Sequence, residues 1–298
     1  MKKYSAFGLI IETELIFDEL FPCPAGDTDI VIKKESVPDH LTDMTLQADG
    51  IQIGIDQYWS DIKEVAKFYV SYGTTILYEP YDNAADEEIK LYLLGSCMGA
   101  VLFQRRILPL HGSCVKVNGA GLLITGDPGA GKSTTAAVLY KKGYKIISDD
   151  VSAILSSPGE VMVCPSYPSQ KLWEDTIERV GIQGEKNVLH RISNHLYKYS
   201  VINGATYDET PVPLKTVLEI IPLDIDHLQL QEIKGGQKLE LISKNTYRKI
   251  MVDAMDIREW HFKQCLEIAE RVSVYRMLRP KHRYLENELA NMILEKIL

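Results

Sequence analysis

The chain has 298 residues, with 33 Lys and Arg against 41 Asp and Glu, a formal charge of −8. That acidity argues against a nucleic-acid or anionic-membrane partner, because both are polyanions. With 45% hydrophobic and 25% charged residues and no low-complexity run or repeat, the composition excludes a disordered or fibrous chain and suits one or two domains.

The start, Met1-Lys2-Lys3-Tyr4-Ser5-Ala6-Phe7-Gly8, lacks an unbroken apolar run with a small-residue cleavage site, so no secretory signal is expected. The cysteines (Cys23, Cys97, Cys114, Cys164, Cys265) are odd in number and scattered, as reduced thiols of a cytoplasmic protein would be. His190 and His195 do not have the spacing of a helical metal pair.

Residues 1–85 read as a small, mainly β domain. Short apolar or alternating runs (Ala6 to Ile11, Ile30 to Ile32, Met44 to Leu46, Ile51 to Ile55, Lys67 to Val70, Thr75 to Tyr78) are separated by turn residues, and Asp49-Gly50 predicts a hairpin. Such a domain either caps its neighbour or offers a sheet edge to a peptide. The polar stretch from Tyr81 to Ala85 marks the expected boundary, which leaves residues 86–298 as a second, larger domain. Asp86 to about Phe103 is helical and apolar almost all round, too short to span a bilayer, and reads as a buried helix joining the domains.

Gly112 to Val117, a turn at Asn118-Gly119, and Ala120 to Thr125 read as a hairpin that leads into a phosphate loop. The loop is Gly126, Asp127, Pro128, Gly129, Ala130, Gly131, Lys132 and Ser133, followed by Thr134 and a helix from Ser133 to Lys142 that Gly143 ends. Glycines let successive N–H groups curl around phosphate oxygens, Lys132 reaches the outer phosphates, and the Ser133 hydroxyl is offered to Mg²⁺. Tyr144 to Ile147 is a second strand that ends in Asp149 and Asp150. Carboxylates at a strand's C-terminal end beside a phosphate loop suit a metal ligand and a proton acceptor, although one of the two could simply cap a turn.

Leu110-His111-Gly112-Ser113, the phosphate loop and Ser148-Asp149-Asp150, in that order, resemble the catalytic domain of bacterial HPr kinase/phosphorylase. Weaker likenesses are Pro211-Val212-Pro213-Leu214 and the run from Val272 to Pro280. The resemblance implies an α/β phosphate-loop domain of the phosphoenolpyruvate-carboxykinase-like type, using ATP and Mg²⁺. It implies that Asp150 is the general base toward a serine, that His111 positions carboxylate or phosphate, and that Glu174 binds the metal beside Ser133 and Asp149, which the loop and the strand end already assign to it. The motif around Glu174 departs from the family's. Assembly as a homo-oligomer is a family property.

Downstream, Val151 to Leu155 and Glu160 to Cys164 read as a hairpin, Lys171 to Val180 as an amphipathic helix, and residues 181–210 as a substrate loop or lid. Arg191, Lys198 and Lys215 are candidates to meet substrate or phosphoryl group, or are plain solvated charges. Two strands (Thr216 to Ile221, Leu228 to Ile233), two helices (Lys238 to Met251, 255–271), a strand to Met277 and a final helix follow. The basic run Arg279-Pro280-Lys281-His282-Arg283 either takes a carboxylate of the substrate or complements a helix end.

The expectation is an ATP- and Mg²⁺-dependent serine kinase without the motifs of eukaryotic-type kinases. The first-choice acceptor is a serine, near the C-terminus, of a lasso-peptide precursor, as in the HPr-kinase-like enzymes of peptide natural-product clusters, which the chain resembles. An HPr-type kinase/phosphorylase and a nucleotide-binding regulatory ATPase are the alternatives.

Overall fold

A computed structural model describes residues 1–23, 25–157, 159–182, 189–193, 196–202 and 207–297, without the side chains of 189–193, 196–198 and 202. The chain forms two compact units, Met1–Pro109 with Tyr247–Lys263, and Leu110–Thr246 with Gln264–Leu298.

The first unit is built on a sheet whose strands run, edge to edge, Phe21–Pro22, Lys2–Ala6, Leu9–Thr13, Ile30–Lys34, Thr75–Pro80, Ala66–Ser71, Gln57–Ile62, Ile51–Gly54 and Leu46–Ala48. Ala48 and Ile51 pair across Asp49-Gly50, the expected hairpin. The unit extends past the boundary expected at residue 85. The helical segment Asp86–Gln104 belongs to it because Tyr92 packs on Phe68 of the sheet, with ring centroids 5.8 Å apart, and the following Arg105 pairs with Asp29 at 2.8 Å. Its middle turn, Leu93–Cys97, is a π-helix. A Cβ on Gly99 would stand 2.9 Å from the Tyr247 ring, so the glycine admits an aromatic side chain that a helix of larger residues would exclude.

In the second unit, Ala120–Thr125 pairs antiparallel with Leu108–Val117 and parallel with Val212–Leu223, which pairs parallel with Ser273–Pro280. Asn118 and Gly119, both left-handed (φ 50° and 83°), make the tight turn the sequence predicts. Lys145–Ser148 pairs antiparallel with the other side of Leu108–Val117. Two antiparallel steps make Ala120–Thr125 and Lys145–Ser148 run in the same direction. Their C-terminal ends, the phosphate loop and the aspartate pair, therefore emerge at one edge, where the intervening strand carries His111.

The helix Lys132–Lys141 is buried on two sides, which is why its sequence shows little amphipathic bias. Leu139 joins Ile124, Leu218, Ile220, Met277 and Ile293 in the sheet's core, while Ala137 faces a second cluster with Leu172, Ile177, Ile182 and Val201. Burying side chains of this size removes roughly 1.5–3 kcal/mol each from contact with water and fixes the loop that precedes the helix.

Three expectations are corrected. Residues 171–180 are not one helix: Ser169–Trp173 is a strand and Glu174–Val180 a helix, capped by left-handed Gly181 (φ 68°). Residues 181–210, expected as a loop or lid, contain the strands Leu189–Ser193 and Leu196–Ile202, which form a three-stranded sheet with Ser169–Trp173. The expected helix from Lys238 to Met251 is two, Gly236–Lys244 and Ile250–Ala254. Between them the backbone pairs with an extended strand: the His111 N–H donates to Asn245, Leu110 bridges Thr246, and the Tyr247 N–H donates to Pro109.

Candidate functional site

A cleft of about 680 Å³ opens at the edge defined above, lined by the Pro128, Gly129 and Gly131–Thr135 part of the loop and its helix, by His111, Asp149, Asp150 and Lys171, and by residues between Arg279 and Leu289. Gly126, Gly129 and Gly131 are all left-handed (φ 139°, 80° and 105°). A Cβ on Gly126 would come within 2.4 Å of the Ile220 carbonyl oxygen, so at this position the loop is held against the neighbouring parallel strand. Lys132 is 8% exposed and its Nζ donates to the Gly126 and Asp127 carbonyls at 2.9 and 3.2 Å, lying curled over the loop. Arg279 braces the loop's other flank, donating from Nε to the Ala130 carbonyl at 2.8 Å and from Nη2 to the Gly129 carbonyl at 3.3 Å.

The two aspartates sit in different surroundings. Asp149 is 3% exposed; its Oδ1 accepts from Ser113 Oγ at 2.5 Å and Ser133 Oγ at 3.0 Å, and its Oδ2 from the Lys171 N–H at 2.9 Å. Three donors compensate the burial of this carboxylate. Asp150 is left-handed (φ 67°), a conformation that aspartate tolerates better than most residues. This turns its carbonyl to accept from His111 Nδ1 at 3.0 Å and the Gly112 N–H at 3.3 Å, while its carboxylate faces Lys171 Nζ at 2.7 Å and His111 Nδ1 at 3.6 Å.

Because a carbonyl only accepts, the His111 proton sits on Nδ1 and Nε2 is the basic nitrogen of the neutral ring. Burial, and next the Lys132 ammonium, hold the His111 pKa below the usual imidazole value against the opposing pull of Asp150.

Of the residues expected from sequence, His111, Pro128, Gly129, Gly131, Lys132, Ser133, Thr134, Asp149 and Asp150 meet in the cleft, whereas Gly126, Asp127 and Ala130 do not line it. Glu174 does not line it: it begins the helix Glu174–Val180, is exposed, and accepts from Tyr199 at 3.3 Å, while its neighbour Asp175 faces the cleft. Lys215 is exposed on Val212–Leu223 and does not line the cleft. The side chains of Arg191 and Lys198 lie outside the described residues. Lys171 goes unnoticed in the sequence, although strand alternation sets it with Trp173 on the face opposite the core residue Leu172, and Arg279, read there only as part of a basic run, braces the loop.

The donors present suit a magnesium nucleotide. A hydroxyl and one carboxylate 3.0 Å apart beside a phosphate loop match a cation that completes its shell with phosphate and water. Among the described residues no helix is long and apolar enough to cross a membrane, and none of the five cysteines is joined in a disulfide.

These features bring a glycine-rich loop of the phosphate-binding pattern and two carboxylates into one cleft on an α/β scaffold. Residues 105–183, which carry His111, the loop, both aspartates and Lys171, match the family described as HPr Serine kinase C-terminal domain. The HPr kinase/phosphorylase of Clostridium novyi (strain NT) is 34% identical over 139 residues, 45% of this chain and 45% of that protein. That of Clostridium botulinum (strain Eklund 17B / Type B) is 49% identical over 53 residues, 18% and 17% of the two chains. The solved HPr(Ser) kinase/phosphatase from Coxiella burnetii aligns at TM-score 0.33 and 13% identity over 62% of this chain and 88% of that one, too slight a likeness to bear on the fold. The chain spans less than half the length of these curated relatives.

Proposed function

We propose that the chain is an ATP- and Mg²⁺-dependent protein serine kinase of the HPr-kinase type. The observation that carries this reading is the convergence of Lys132, Ser133, Asp149, Asp150 and His111 at one strand edge, within the segment that matches that family. A bare nucleotide-binding switch needs the loop and a metal ligand; a second carboxylate held by Lys171 and a histidine is what proton removal from a hydroxyl asks for.

In this reading the loop's N–H groups and Lys132 bind the phosphates, and Ser133 with Asp149 would hold Mg²⁺, which when bound offsets charge on the transferring phosphoryl group. Asp150 accepts the proton of the acceptor serine, and the positive ends of Lys132 and Lys171 flank the transferring group. His111 fixes the Asp150 carbonyl and turns Nε2 outward from that bond. Curated relatives named HPr kinase/phosphorylase favour a protein acceptor of the HPr type over a lasso-peptide precursor, so HPr takes first place.

The test is mass spectrometry after incubation with ATP and Mg²⁺, offering HPr and a precursor peptide with a C-terminal serine to wild type and Asp150→Asn. Phosphate on a serine of HPr, lost in the variant, supports the reading. Phosphate on the peptide alone would restore the precursor acceptor. ATP hydrolysis with neither acceptor modified would favour the regulatory ATPase.

A further inference from the structure

Two lines of side chains leave the phosphate loop. One runs from Ser133 through Asp149 to Lys171 and Asp150, where the chemistry above lies. The other starts at Arg279, which grips the Gly129 and Ala130 carbonyls. Beyond it stands Arg179, held by Asp175 at 2.7 Å and Glu286 at 3.4 Å, with its guanidinium carbon 3.9 Å from the centre of the Tyr284 ring. Arg179, Tyr284 and Glu286 all line the cleft.

Tyr284 is 70% exposed, the most exposed large hydrophobic residue among the described residues, yet its ring is not left to wander: a doubly ion-paired arginine is stacked on it. Such an arrangement keeps a flat aromatic face in one place at the wall of a polar cleft. A nucleoside triphosphate whose outer phosphates lie at Lys132 and Ser133 has its inner phosphate toward Thr134, the next residue of the helix. The Thr134 hydroxyl lies 3.4 Å from that of Thr176, one turn before Arg179 on the helix Glu174–Val180. The nucleoside thus leaves the loop toward the arginine and the tyrosine, away from the aspartate pair.

We propose that Tyr284, clamped by Arg179, is the stacking platform for the nucleobase of the donor nucleotide. The inference rests on the reading above that a nucleoside triphosphate occupies the phosphate loop. Stacking supplies affinity without hydrogen-bond readout, so the platform favours a nucleoside triphosphate over a bare phosphate chain and favours the larger purine face over a pyrimidine.

The test is calorimetric titration of the full chain with ATP and with inorganic tripolyphosphate, each with Mg²⁺, on wild type, Tyr284→Ala, Tyr284→Trp and Trp173→Ala. Tyr284→Ala is expected to weaken ATP about tenfold, leave tripolyphosphate unchanged, and be rescued by Tyr284→Trp. Equal weakening of both ligands, no weakening of either, or a selective loss of ATP in Trp173→Ala instead would each overturn the platform. Wild type binding tripolyphosphate as tightly as ATP would remove the base site and leave the phosphate-loop reading standing, whereas binding neither would remove both.

Discussion

The ammonium of Lys171 stands 2.7 Å from Oδ2 of Asp150, while the backbone N–H of the same lysine donates to Asp149 at 2.9 Å. One residue at the edge of the small sheet therefore sets the positions of both carboxylates. The ion pair is mostly buried, with side-chain exposures of 14% and 25%, so removing one partner leaves the other charge poorly solvated. Lys171→Met is expected to lower stability by about 1–2 kcal/mol, and Asp150→Asn to relieve much of that loss in the double variant. Denaturant titration of the four-member cycle measures the coupling; additive losses would mean that the pair contributes nothing to the fold.

Asp149 and Asp150 are adjacent in sequence but differ in what they touch, and their amide variants should differ accordingly. Asp150→Asn keeps the carbonyl that orients His111 and removes only the proton acceptor, so phosphoryl transfer is expected to fall by roughly 10²–10⁴ while nucleotide affinity holds. Asp149→Asn alters the Ser133 and Ser113 partnerships and is expected to weaken Mg²⁺-dependent ATP binding itself. Titration of ATP with and without Mg²⁺, set beside single-turnover transfer, separates the two. If both variants bound ATP normally, the division of labour would be wrong.

His111 gives the site a pH dependence with a definite sign. Its folded pKa lies below the unfolded imidazole value because burial and Lys132 resist the charge. In the window between the two values the unfolded chain binds a proton that the folded one refuses, so stability falls as pH drops below about 6.5 and is level above it. Thermal unfolding of wild type should decline more steeply from pH 7 to 5.5 than that of His111→Gln. Parallel curves would show that the ring titrates as freely folded as unfolded.

The phosphate loop was legible because its chemistry is local: glycine spacing, Lys132 and Ser133 lie within the eight consecutive residues from Gly126 to Ser133. The hairpin at Asn118-Gly119 was legible for the same reason, since left-handed backbone at two successive positions selects those residues. Tertiary pairing hid the rest. Leu172, Thr176 and Val180 keep helical spacing across a joint where strand becomes helix, and the pairing of Ser169–Trp173 with Leu196–Ile202 decides the matter. Lys171 and Tyr284 acquire their roles only by contact with residues 21 and 105 positions earlier, Asp150 and Arg179, respectively. The boundary expected at residue 85 misses that apolar helix Asp86–Gln104 is surface that the first sheet has to bury.

Two loop glycines separate strain from collision. Gly129 (φ 80°) has nothing within 4 Å of where a Cβ would lie, so Gly129→Ala carries only the cost of left-handed backbone, about 1–2 kcal/mol. Gly126 (φ 139°) would put its Cβ 2.4 Å from the Ile220 carbonyl oxygen, and that oxygen belongs to the strand Val212–Leu223, hydrogen-bonded on both sides. Neither the loop nor the strand can give way cheaply. Gly126→Ala should therefore cost at least about 1 kcal/mol more than Gly129→Ala and shift the loop away from the parallel strand. Thermal unfolding of the two variants measures the difference, and ATP titration shows whether the shift reaches the phosphates: affinity should fall further in Gly126→Ala. Equal destabilisation would mean that the strand yields to the added methyl group and that the loop is not braced from that side.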